Sequence, residues 1–135
     1  TGNFFNKILN SYLSEGAEFM GAYDSIGSPT SATTLSEFLV SVIPMFLSDK
    51  DVSGLYHFAN LGEVSRFSFI ETILLELNRK FSLGLPNVKK VSNNDFNLAA
   101  SRPLNTSLDC RKIIDVFNYE LLDWKRGLRV EVNKI

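Results

Sequence analysis

In 135 residues the chain has a single cysteine, Cys110, and a single histidine, His57. One cysteine excludes an internal disulfide and fits a reducing cytoplasm. No paired-cysteine spacing for a metal is present, no Gly-x-Gly-x-x-Gly follows an expected strand, and there is no phosphate-binding loop, so neither a metal nor a cofactor site is predicted within this chain. Apolar runs fall short of the about 18 residues that a membrane span requires, which removes the membrane as a partner. Charge of one sign is also lacking. Fourteen basic residues stand against fifteen acidic ones, for a net charge of -1, and without a long basic run there is no electrostatic footprint for nucleic acid. The opening "TGNFFNKILN" has no basic leader, apolar block and cleavage site in succession, so no secretory leader is expected and the location expected is cytoplasmic. It begins at Thr1 rather than methionine, from which we expect an N-terminal part of the native protein to precede it.

What is present is ordinary globular composition, 44% hydrophobic and 21% charged, in a chain long enough for one core. Phe4, Phe5, Ile8, Leu9, Tyr12 and Leu13 repeat at helical spacing, and Gly16 supplies a stop. "AEFMGAYD" reads as a short strand, and Asp24 to Thr33, rich in Gly, Ser, Thr and Pro, as loop. Thr34 and Glu37 in "TLSE" form an expected capping box for a helix that Pro44 should kink or end. "GLYHFAN" (Gly54 to Asn60) fits a buried strand, with His57 as a hydrogen-bonded core residue and a ligand or base as the alternative. Ser65 or Ser68 caps the next helix, whose stripe is Phe69, Ile70, Ile73, Leu74 and Leu77. "VKKV" suggests a further strand, Asp109 caps a short helix through Phe117, and Asp123 caps a last one from Trp124 to about Val132. This alternation predicts an α/β fold with few strands and about five helices.

Two positions invite a ligand. A helix beginning directly after Gly2-Asn3 leaves free backbone N–H groups and a partial positive charge at its tip, which suits a phosphate; a capping asparagine is the alternative. Arg102, set against Pro103, faces either an anion or a neighbouring carboxylate. Cys110 opens a helix but has no histidine beside it in the sequence to make it a nucleophile.

Taken in order, "GNFF", "DSIGSPTSATTLSEF", "GLYHFANLGEVSRFSFIE" and "AASRPLNTSLDCRKIIDVFNYELLDW" resemble the C-terminal part of the dTDP-4-dehydrorhamnose reductases, extended short-chain dehydrogenase/reductases. The most specific pieces are Gly27-Ser28-Pro29-Thr30, Gly54-x-Tyr56-His57, and Arg102-Pro103 with Ser107-Leu108-Asp109. The resemblance covers nearly the whole chain. It implies a parent enzyme that reduces the 4-keto group of dTDP-4-dehydro-rhamnose with NADPH or NADH, a step towards the sugar donor for polysaccharide.

In that family the cofactor loop and the Tyr-x-x-x-Lys pair lie in an N-terminal part, and none of the four tyrosines here has a lysine four residues on. The resemblance therefore implies one lobe over residues 1–135 that binds a sugar-nucleotide and carries the last strands of a Rossmann sheet. No catalytic residue lies in it, and it is inactive alone. Carried over by position, Asn3 and Phe4 face the nucleotide-sugar, the loop with Asp24, Pro29 and Thr30 lines the nucleotide side, and Arg102 lies near the phosphates. Implied partners are a nucleotide-sugar, a dTDP-sugar first, and the missing Rossmann part; the resemblance also allows a homodimer. The chain departs from the family at Ser25, Ser31, Thr34, Ser36 and Arg66, the last where family members carry Trp after Ser. A related nucleotide-sugar thus remains a candidate substrate. The same fold also serves as a non-catalytic regulatory subunit of methionine adenosyltransferase, which is the alternative function; an independent small binding domain is a third.

Overall fold

Helix α1 (Phe4–Tyr12) begins where Asn3 caps it, the side-chain oxygen accepting from the Asn6 N–H at 2.8 Å. The computed structural model describes residues 2–14, 16–48, 51–96, 100 and 103–135. They form five α-helices, four short strands and a 3₁₀ turn, the α/β fold expected, in two compact units: Thr1–Gly27 with Val64–Thr106, and Ser28–Glu63 with Ser107–Ile135.

The first unit is built on strands β1 (Phe19–Ala22) and β4 (Val88–Val91), which pair in parallel with Phe19 opposite Val88 and Ala22 opposite Val91. Helix α3 (Arg66–Phe81) packs on both strands, and α1 packs on α3. Ile70, Ile73, Leu74 and Leu77, spaced by three or four residues, fall on one face and are fully buried. Gly21 makes the fit possible. A Cβ there would lie 2.5 Å from the Phe67 Cα, so only a residue without one lets β1 approach the helix backbone this closely. Tyr12 ties α1 to the far end of α3 by donating its hydroxyl to the Gly84 carbonyl at 2.9 Å. Strand β2 (Ile26–Gly27), inside the segment read as loop, pairs antiparallel with β3 (Val64–Ser65), and Asn105 forms a parallel bridge to Ile26.

The second unit contains α2 (Ala32–Phe46), α4 (Arg111–Phe117) and α5 (Trp124–Asn133). Its core joins Phe38, Val42, Val52, Ala59, Cys110, Ile113, Phe117 and Leu121. Phe38 is at the centre, stacked on Phe58 at 4.8 Å and edge-on to Tyr119 at 5.0 Å and Phe117 at 5.7 Å, arrangements that the ring quadrupoles favour. Burial, with the Glu37 charge adding to it, raises the pKa of Tyr119.

Three local expectations are corrected here. "GLYHFAN" forms no strand: the Ala59 N–H goes to Cys110 Sγ (3.2 Å) and the Asn60 N–H to Thr30 Oγ1 (3.1 Å). His57 is exposed rather than in the core. The cap of α2 is Ser31, whose oxygen accepts from the Thr34 N–H at 3.0 Å, while Thr34 lies buried in the first turn and donates to Asn60 Oδ1 at 3.0 Å. Elsewhere the local signals were sufficient. Ser65 caps α3, Asp123 caps α5, and α2 ends two residues after Pro44. A fourth correction falls at α4, whose cap is Cys110 rather than Asp109, the latter accepting the Arg111 N–H from one position ahead. No helix among the described residues is long and apolar enough to cross a membrane.

Candidate functional site

A cleft of about 130 Å³ opens in the first unit beside the carboxyl ends of β1 and β4, lined by Phe4, Met20, Ala22, Ser25, Arg66, Asn93 and Phe96. In open α/β sheets this end of the strands is where ligands bind, because the chain leaves the sheet there and its loops and helix starts can close around a small molecule.

The strand ends are tied by Asp24. Its carboxylate accepts from Ser92 Oγ and from the Asn93 N–H, each at 2.7 Å, and these bonds, the Ser92 hydroxyl foremost, hold its pKa below the usual aspartate value. The Tyr23 N–H continues the ladder to the Val91 carbonyl at 3.0 Å. Ser92 and Asp95 then form a reciprocal cap on the 3₁₀ turn Asn93–Asp95, which presents Asn93 to the cleft. Asp24 is therefore a brace of the wall, its charge already met.

The opposite wall is the start of α1. Phe4 stacks on Phe69 with ring centroids 5.9 Å apart, and the Arg66 guanidinium carbon lies 5.0 Å from the Phe4 centroid. Asn3 spends its side-chain oxygen on Asn6, while the N–H groups of Phe4 and Phe5 begin the helix and so have no partner within it. Arg66 opens α3 directly after its cap, and its own N–H donates to the Ser25 carbonyl at 2.8 Å.

Of the residues predicted from sequence, Phe4 lines this cleft, while Asn3 caps the helix that carries it and Asp24 bonds Ser92 and Asn93 without lining it. Pro29 and Thr30 belong to the second unit, where the Thr30 hydroxyl donates to the Ser28 carbonyl at 3.0 Å and accepts from the Asn60 N–H. Arg102 lies outside the described residues. Sequence reasoning passed over Met20, Asn93, Phe96 and Arg66 as lining residues. Only Arg66 had left a signal, as a departure from the family at the first position of a helix.

A family model described as the RmlD substrate binding domain matches residues 1–135. The chain belongs to the RmlD substrate-binding-domain family. Among curated proteins it is similar to the dTDP-4-dehydrorhamnose reductase of Escherichia coli K12, 27% identical over 99% of this chain and 45% of that protein. It is also similar to that of Aggregatibacter actinomycetemcomitans, 30% identical over 94% of this chain and 44% of that protein. A solved structure of dTDP-4-dehydrorhamnose reductase from Bacillus anthracis, in complex with NADP, superposes with a TM-score of 0.81 at 25% identity, covering all of this chain and 44% of its own. The chain thus spans less than half the length of these relatives.

In this RmlD-family chain the described residues do not fit a dinucleotide. β1 leads through Tyr23-Asp24-Ser25 into β2, and β4 leads into a 3₁₀ turn, so neither strand opens through a glycine-rich turn onto a helix N-terminus as a pyrophosphate cradle requires. The cleft presents instead one guanidinium, the side chains of Ser25 and Asn93 and an apolar floor. Such a set can bind and orient an anionic, partly apolar ligand.

Proposed function

We propose that this chain is the substrate-binding part of a dTDP-4-dehydrorhamnose reductase, a cytoplasmic enzyme that reduces the 4-keto group of a dTDP-sugar with NADPH or NADH. The observation that carries the reading is the cleft at the carboxyl ends of two parallel strands, in a chain matched from end to end by a substrate-binding family. The N–H groups at the start of α1, set by the Asn3 cap, would hold the diphosphate. Phe4 would form a wall beside it. Asp24 would act by keeping the β1 and β4 ends together. Hydride chemistry would come from a dinucleotide held by residues outside this chain, together with the Tyr-x-x-x-Lys pair that the chain lacks.

The test is isothermal titration of the chain with dTDP-rhamnose, UDP-glucose, GDP-mannose and NADPH, alongside a reductase assay of the chain. Saturable heat with dTDP-rhamnose, none with NADPH and no turnover is the expected pattern. NADPH oxidation by this chain, or tighter binding of UDP- or GDP-sugars than of the dTDP-sugar, would replace this reading.

A further inference from the structure

Arg66 differs from Arg79 and Arg111. Arg79 donates to Glu76 at 2.8 Å and Arg111 is paired with Asp109, so both are spent on carboxylates. For Arg66 no ion pair is found among the described residues, and the acidic groups on the facing wall are engaged elsewhere: Asp24 accepts from Ser92 and Asn93, and Asp95 accepts from the Ser92 N–H. Its position is nonetheless defined. The backbone is pinned to Ser25, and the guanidinium lies over the Phe4 ring.

A contact between the guanidinium and a ring leaves N–H donors for another partner. Arg66 is also the one charged residue among those lining the cleft, beside the apolar Met20, Ala22 and Phe96. Its positive charge favours an anion over a neutral group. The cleft, about 130 Å³ and open to solvent, admits a phosphate group beside this guanidinium.

We propose that Arg66 is a ligand-binding residue of this cleft, its guanidinium donating to the phosphate oxygens of the nucleotide while it lies over Phe4. The inference deepens the sugar-nucleotide reading and rests on it for the identity of the nucleotide. It makes Arg66 a source of charge selectivity where family members carry tryptophan.

Isothermal titration with dTDP, thymidine and inorganic pyrophosphate, on the wild-type chain, Arg66→Ala and Arg66→Lys, tests it. Arg66 is exposed, and a thermal melt of each variant verifies that the fold is kept. The expected result is a loss of about tenfold or more in dTDP affinity for Arg66→Ala, an intermediate loss for Arg66→Lys, and thymidine affinity unchanged. Equal dTDP affinity in wild type and Arg66→Ala overturns the role of Arg66 and leaves the sugar-nucleotide reading standing. Pyrophosphate binding that depends on Arg66, with no gain from the thymidine moiety, supports the anion site and overturns the dTDP reading. A wild-type chain that binds neither dTDP nor pyrophosphate overturns both.

Discussion

The two units use the same helix chemistry but satisfy their extended backbone in different ways. In the first, β1 and β4 meet each other's N–H and C=O groups in a parallel ladder, and side chains at the strand ends are left to build a cleft. In the second, the segment from Val52 to Asn60 has no ladder, and the N–H groups of Ala59 and Asn60 are met by Cys110 Sγ and Thr30 Oγ1, beside an aromatic cluster. Polar side chains that close a backbone are not available for a ligand, since a buried N–H left without a partner costs about 1–3 kcal/mol. The difference teaches that Thr30 is occupied by structure, whereas Arg66 and Asn93 line an opening.

Substitutions can break this comparison at measurable cost. The largest effect is expected for Phe38→Ala, which empties the centre of the aromatic cluster and should destabilise by about 4 kcal/mol in urea unfolding. A loss below 1 kcal/mol would mean that the second unit does not depend on that cluster. Gly21→Ala should cost about 3 kcal/mol, because the new methyl group meets the α3 backbone, which cannot rotate away as a side chain can. Unchanged stability would show that β1 and α3 separate easily.

Gly127→Ala is a sharper test because two effects oppose. Inside a helix the change alone should gain about 1 kcal/mol, but the added Cβ would lie 2.4 Å from Asn60 Nδ2, on a buried side chain already bonded to Thr34. We expect a net loss of about 2 kcal/mol; a gain would show that Asn60 is free to move. Asn3→Ala should remove the α1 cap and cost about 1 kcal/mol, seen as faster amide exchange at Asn6.

The smallest effects come from acid. Asp24 and Asp109 both titrate below their ordinary range, Asp24 through the Ser92 hydroxyl and Asp109, at about 2, through Arg111. A depressed carboxylate pKa gives stability that is present above the unfolded-state pKa and is lost as pH falls through the folded value. Asp109 is exposed and Asp24 only half-buried, so solvent screens both and the effect on melting should be slight. Carboxyl carbon shifts followed by NMR should give a midpoint near 2 for Asp109 and a Ser92→Ala variant should raise that of Asp24. An Asp24 midpoint unmoved by that variant would remove the brace between β1 and β4.

Local chemistry carried much of the fold from sequence to structure. The caps at Asn3, Ser65 and Asp123, the buried stripe of α3 and the strand segments at Phe19 and Val88 were legible because each depends on residues within a turn or two. The family, too, was legible, since ordered motifs spread along the chain survive low identity. Only the tertiary structure decided the rest. It paired β1 with β4 from far along the chain, moved the α2 cap to Ser31 by burying Thr34 on Asn60, and left "GLYHFAN" without a ladder and His57 in solvent. It also brought Arg66 over Phe4 and closed Asp24 on Ser92. Those outcomes depend on partners distant in sequence, and no local spacing of residues encodes which distant group will meet a given hydroxyl, charge or backbone N–H.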